Sequence, residues 1–242
     1  MFSPAVEKQR RQLYAAAVEG MEERVETAAT AEDMLAAVRW GMALVERAHD
    51  ETPSKIRRTV ACRAGCDHCC HTPVDVQAHE VFFAAEHIQL HFTPEQLAAV
   101  IALTAERRAR HSTRGAAARE RPWQPCALLG ADGRCTIYAG RPEICRVHHT
   151  SDARACAAFV ADPGVDIDAV YVPTLRARMF AVMIGLDEAI EAAGYDDRSY
   201  DFNSALHEAL TNSLCRVLWM RRMPAFPDAC LSEPETDAGT PM

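Results

Sequence analysis

Four cysteines fall within nine residues, Cys62, Cys66, Cys69 and Cys70, with His68 and His71 among them. Spacings this short let neighbouring thiolates converge on one centre, and Gly65 permits the tight reversal that turns backbone amides toward sulfur. Four more cysteines follow, Cys126, Cys135, Cys145 and Cys156, separated by eight, nine and ten residues. Eight thiols suit two centres, because tetrahedral zinc and cubane iron–sulfur clusters each take four protein ligands. The adjacent pair Cys69 and Cys70 bears on this, since neighbouring side chains tend to diverge. Either they serve different metals, or one of them is a bridging, labile or redox thiol. His68, His71, His148 and His149 are alternative ligands, although zinc and iron–sulfur clusters in a thiolate-rich setting take sulfur first. Bound thiolates leave a net negative charge that donors and cations must offset, and Arg63, Arg134, Arg141 and Arg146 lie close by in sequence. Cys215, in a helical apolar pattern, and Cys230 read as ordinary thiols outside this set.

The rest of the chain is an ordinary globular mixture. Of 242 residues, 49% are hydrophobic and 25% charged, which excludes wholesale disorder, and a chain of this length collapses without metal or disulfides. Ten cysteines in such a chain, with no apolar leader after Met1, predict a cytoplasmic protein whose thiols serve metal or catalysis rather than disulfides. The net charge of −8 argues against a nucleic-acid partner, and no apolar run approaches the ~18 residues needed to span a membrane. Glycine-rich phosphate loops, Gly-x-Ser-x-Gly elbows and His-Glu-x-x-His pairs are missing from the sequence, so hydrolase, kinase and zinc-protease readings have no motif behind them.

Apolar spacing predicts a mainly α protein: a single helical domain with a small cysteine-rich, hairpin-bearing metal-binding subregion. Ser3-Pro4 and Thr30 with Asp33 start two helices, carrying Tyr14, Val18, Met21 and Val25, then Met34, Val38, Met42 and Val45. A third runs through Val81, Ala85, Ile88 and Phe92. Thr93-Pro94-Glu95-Gln96 caps a fourth. Leu175 to Ile190 forms another, ended by Gly194, and Leu206, Leu210, Leu214 and Val217 set the last period. Residues 121–156 are rich in turns, with Asp132-Gly133 at a hairpin tip. The helical domain spans 1–223, with the metal-binding region at about 60–157. Residues 224–242, acidic and proline-rich, are expected to form a disordered tail.

The motifs Cys62-x3-Cys66-x2-Cys69-Cys70, Cys126-Ala127-Leu128-Leu129, Gly133-Arg134-Cys135-Thr136-Ile137-Tyr138 and Arg141-Pro142-Glu143-Ile144-Cys145-Arg146 together resemble the YkgJ-type cysteine-cluster family. The usual opening of that family is Cys-x2-Cys-x2-Cys-Cys, so this chain carries one extra residue between Cys62 and Cys66. The resemblance implies a zinc- or iron-chelating domain. It also reaches the cysteine-rich module of flagellin lysine N-methylases, and so includes an enzymatic use. Three functions follow as expectations. The first is a metal-binding protein holding zinc or an iron–sulfur cluster through Cys62, Cys66, Cys69, Cys70, Cys126, Cys135, Cys145 and Cys156. The second is an iron–sulfur enzyme of methyl transfer or redox chemistry. The third is a metal-stabilised interaction module whose Arg107, Arg108, Arg110, Arg114, Arg119 and Arg121 meet an acidic protein partner or a phosphate-bearing ligand.

Overall fold

The computed structural model describes residues 2–114, 123–162 and 164–233, with residues 112–114 described by their backbone alone. Ten α-helices are present among them: α1 (Pro4–Thr27), α2 (Ala31–Asp50), α3 (Ser54–Arg57), α4 (Ala78–His91), α5 (Pro94–Arg114), α6 (Glu143–Val147), α7 (Ala153–Ala161), α8 (Pro173–Ala192), α9 (Phe202–Thr211) and α10 (Leu214–Met220). The protein is mainly α, as the periodicity predicts.

The helix starts follow the capping chemistry. Ser3 Oγ accepts the Val6 amide at the head of α1, and Thr30 and Asp33 cap each other's backbone at the head of α2. At α5, the Thr93 amide donates to Gln96 and the Gln96 amide to Thr93. Helix α8 packs against both α1 and α2; α4 joins α2 to α9, and α9 packs on α5. One hydrophobic cluster runs through Met21, Leu35, Val45, Phe82, Leu175, Met179 and Leu206, and it takes in Leu128, Ile137 and Val147 from the turn-rich segment. A two-stranded antiparallel sheet, β1 (Asp75–Val76) and β2 (Tyr200–Asp201), ties the exit from the first cysteine group to the start of α9.

Two expectations need correction. The last apolar period is not one helix. It breaks at Asn212 and Ser213, so Leu214 and Val217 face solvent while Cys215 and Trp219 turn inward. Nor does the tail begin at residue 224. Ala225, Phe226, Cys230 and Leu231 are buried in the core cluster. Phe226 lies 5.1 Å from the Phe82 ring and 5.0 Å from that of Tyr200, and the Ala225 amide donates to Asp196 at 2.6 Å. The prolines and acids of 224–233 set the composition, but four apolar side chains fill a groove and outweigh it. Residues 234–242 lie outside the described residues, as do Arg119 and Arg121.

Candidate metal centre

The first cysteine group forms a loop without a long helix or strand. Gly65 adopts φ +82° and Cys66 closes a turn on Arg63, its amide donating to the Arg63 carbonyl at 2.9 Å. A 3-10 turn, His68–His71, then presents Cys69 and Cys70. In the second group, Leu129 and Cys135 bridge as an antiparallel pair around Gly133, which has φ +73°, so the expected Asp132-Gly133 hairpin is present.

The two groups meet. The Cys126 amide donates to the Cys70 carbonyl at 2.7 Å, and the Ala61 amide to the Thr150 carbonyl at 2.7 Å. A Cβ on Gly133 would stand 3.3 Å from the Gly65 carbonyl oxygen, so the hairpin tip rests on the first loop backbone to backbone. Thr150 Oγ1 lies between two sulfurs, 3.8 Å from Cys62 Sγ and 3.1 Å from Cys156 Sγ. Helix α7, which carries Cys156, packs on the turn that carries Cys69 and Cys70.

Electrostatic coupling divides the thiols into two neighbourhoods. Cys156 is raised by burial and by Cys62, Cys66 and Cys69. Cys145 is raised well above a free thiol by burial, then by Cys126, Cys69, Glu80 and Cys135. Burial pushes Cys126 up to about 12, with Cys135 adding to it. Cys69 belongs to both, and its own thiol is raised first by a hydrogen bond with Cys70. Burial likewise raises Cys66 and Cys135, and the backbone amide two residues further on partly offsets the rise: His68 at Cys66, Leu128 at Cys126 and Ile137 at Cys135. Amide donors directed at sulfur favour the thiolate, the form that binds metal. All ten cysteines are free, with Cys62 and Cys69 exposed and the other six of the cluster half-buried.

Of the four arginines near the cysteines, two serve the site. Cys69 and Cys135 are both raised on balance, and Arg141 partly offsets that rise at each, as Arg146 does at Cys135. Both guanidinium groups are held by Glu46, at 3.2 and 2.6 Å. Arg134 instead stays largely exposed beside Asp132, and Arg63 is exposed. The histidines have other partners: His148 Nδ1 lies 2.7 Å from the Tyr171 hydroxyl, His149 stacks on His49, and His71 lies 3.4 Å from Asp67. Cys215 and Cys230 are buried, each beside Glu208 and Arg108 rather than among the eight.

Three features lay beyond the sequence reading. Thr150 carries no spacing signal. Arg107, expected to meet an acidic partner or a phosphate-bearing ligand, instead donates to the Pro125 carbonyl at 3.1 Å and so fixes the residue before Cys126. Arg108 likewise points inward, to Glu208 at 2.7 Å. The third is His79, Glu143 and Asp187: among the described residues, this is the set of three ligand atoms that gathers within 4.8 Å, and none is a cysteine. Its members come from α4, α6 and α8, so no local pattern announces them.

Free thiols on two stitched loops, with amides and guanidinium groups facing sulfur, define a metal-chelating module set on a helical scaffold. Residues 61–162 match the CxxCxxCC family model, described as "Putative zinc- or iron-chelating domain". The resemblance drawn from the motifs is therefore shown over that segment, which covers both cysteine groups. No curated protein and no solved structure matches the chain. Among the described residues, no helix is long and apolar enough to cross a membrane.

Proposed function

We propose that the protein holds zinc or an iron–sulfur centre in two four-thiolate sets that meet at Cys69 and Cys70. One set is Cys62, Cys66 and Cys156, the other Cys126, Cys135 and Cys145, and the adjacent pair supplies the fourth ligand to each. The observation that carries this reading is the joining of the two cysteine loops by backbone hydrogen bonds, the Cys126 amide on the Cys70 carbonyl and the Ala61 amide on the Thr150 carbonyl, which sets the two thiol groups side by side. The donor set fits: sulfur for a borderline or soft ion, arginine for the excess negative charge. A bound centre would supply cross-linking of the two loops and, if it is iron–sulfur, a store for one electron. A cleft of about 1040 Å³ opens between α2 and α4, lined by Met42, Phe83, His87, His91, Tyr138 and Arg216 among others, and none of the eight cysteines lines it.

Anaerobic purification with metal analysis and a visible spectrum tests the proposal. Brown protein containing iron and sulfide identifies an iron–sulfur centre and brings the redox reading forward, whereas colourless protein with about two thiolate-bound zinc ions per chain identifies the two-set zinc site. Protein that takes up neither metal under reducing conditions refutes it.

A further inference from the structure

Two buried side chains and a half-buried one, on three helices, face one another without making hydrogen bonds. His79 Nε2 lies 3.5 Å from Asp187 Oδ1 and 3.7 Å from Glu143 Oε1. His79 is 1% exposed and Glu143 2%; Asp187 is 23% exposed at its side chain and so opens the trio to one side. Both ring nitrogens of His79, Glu143 Oε2 and Asp187 Oδ1 are buried without a hydrogen-bond partner. Buried polar atoms are almost always paired, and an unpaired His79 Nε2 beside an unpaired Asp187 Oδ1 and a buried carboxylate calls for a missing partner.

The surrounding groups do not supply it. Glu80, next in sequence, is occupied: one oxygen accepts the Glu143 amide at 2.7 Å and the other the Gln77 amide at 2.8 Å. It thereby fixes the heads of α4 and α6, which carry two of the three ligands. Arg146, the cation whose charge acts on Glu143, spends its donors on Glu46 and on the carbonyls of Ala139 and Arg141. A protonated His79 donating from Nε2 could satisfy one carboxylate and would leave the other unpaired. One cation bonded to all three would satisfy the convergent atoms together. Ligand bonds of about 2.1 Å in a tetrahedral site place neighbouring ligand atoms about 3.4 Å apart, close to the spacings His79 already shows.

We infer that His79, Glu143 and Asp187 form a second, thiolate-free site for a divalent first-row transition cation. One nitrogen and two carboxylate ligands suit zinc, iron(II) or manganese(II), and two carboxylates balance a doubly charged ion. Three protein ligands leave a coordination position open on the side where Asp187 reaches the surface. Helix α6 carries both Glu143 and Cys145, so this site and the cysteine loops share one short element.

Anaerobic titration of the reduced, metal-free full chain with cobalt(II) alone separates the two kinds of site, because thiolate-bound cobalt gives intense charge-transfer absorption and cobalt held by nitrogen and oxygen does not. The wild type should bind one equivalent beyond the cobalt accounted for by the charge-transfer band. His79→Gln and Asp187→Asn should each lose that equivalent and keep the band. Asp187→Asn changes a partly exposed group by one atom, so it remains informative if His79→Gln misfolds. Its melting temperature, equal to the wild type without metal, should lack the rise that the extra equivalent gives the wild type. If Asp187→Asn binds as much cobalt as the wild type, the trio is a buried ion-pair network only and the inference fails. Loss of the charge-transfer band in the wild type, with the extra equivalent retained, would overturn the thiolate proposal and leave this one standing.

Discussion

His149 illustrates how a single side chain near the cysteine loops is set by its surroundings. It stacks on His49 at 5.0 Å between ring centres, and its Nδ1 is buried without a partner. Burial, then the charges of His49 and Arg141, push it down to about 4. The unfolded chain takes up a proton near pH 6.5 that the folded chain refuses until about pH 4, so between these values the unfolded state binds more protons. Stability from this group is therefore full above about pH 6.5 and falls as the pH drops toward 4, a loss on the order of 3 kcal/mol. His149→Phe keeps a ring against His49 and removes the titration. Urea midpoints measured at about pH 7 and pH 4.5 should differ less in the variant than in the wild type. An equal difference in both would show that His149 is not the group responsible.

At the scale of elements, α1 and α8 pack backbone to backbone. A Cβ on Gly185 would stand 2.8 Å from the Tyr14 carbonyl oxygen and 3.0 Å from Ala17 Cβ, so the two helix backbones approach as closely as a hydrogen allows. Gly185→Ala would gain about 1 kcal/mol of helix propensity, but the clash is with backbone that cannot rotate away, and overpacking of this kind costs about 1–3 kcal/mol. A net loss of stability is expected, read as a lower urea midpoint with a similar slope; a stabilised variant would mean that α1 slides freely on α8. Local signals made most of these helices legible: Ser3, Thr30 and Thr93 mark helix starts by short-range hydrogen bonds, and the apolar period fixes which faces turn inward. Where the sequence misled, a tertiary contact decided. Phe226 is buried because Phe82 and Tyr200, far away in the chain, form its groove, and Leu214 is exposed because α9 stops at Asn212. The eight-cysteine set was legible for its crowding and motifs. The trio of His79, Glu143 and Asp187 was not, since its members are separated by 64 and 44 residues.

At the scale of the whole molecule, the helices and the cysteine loops draw stability from different sources. Helices α1, α2, α4, α8 and α9 bury their own apolar faces, whereas residues 123–142 contribute Ala127, Leu128 and Ile137 to the buried set and otherwise consist of turns. Ordering each such residue costs about 1–2 kcal/mol of backbone entropy, more than three apolar side chains offset, while coordination of a structural zinc ion contributes on the order of 10 kcal/mol. Metal removal should therefore act on one part of the molecule. The chelated protein should keep most of its helical circular dichroism, while the amides of Cys126, Gly130 and Thr136, which hold the hairpin and join it to Cys70, should exchange fast. Cys66→Ala and Cys145→Ala, one from each group, should each lower the metal content and speed exchange at the same three amides, because the loops are joined. If Cys145→Ala binds full metal with unchanged exchange there, the second group holds no metal, and the stitching of the loops by backbone hydrogen bonds is sufficient without it.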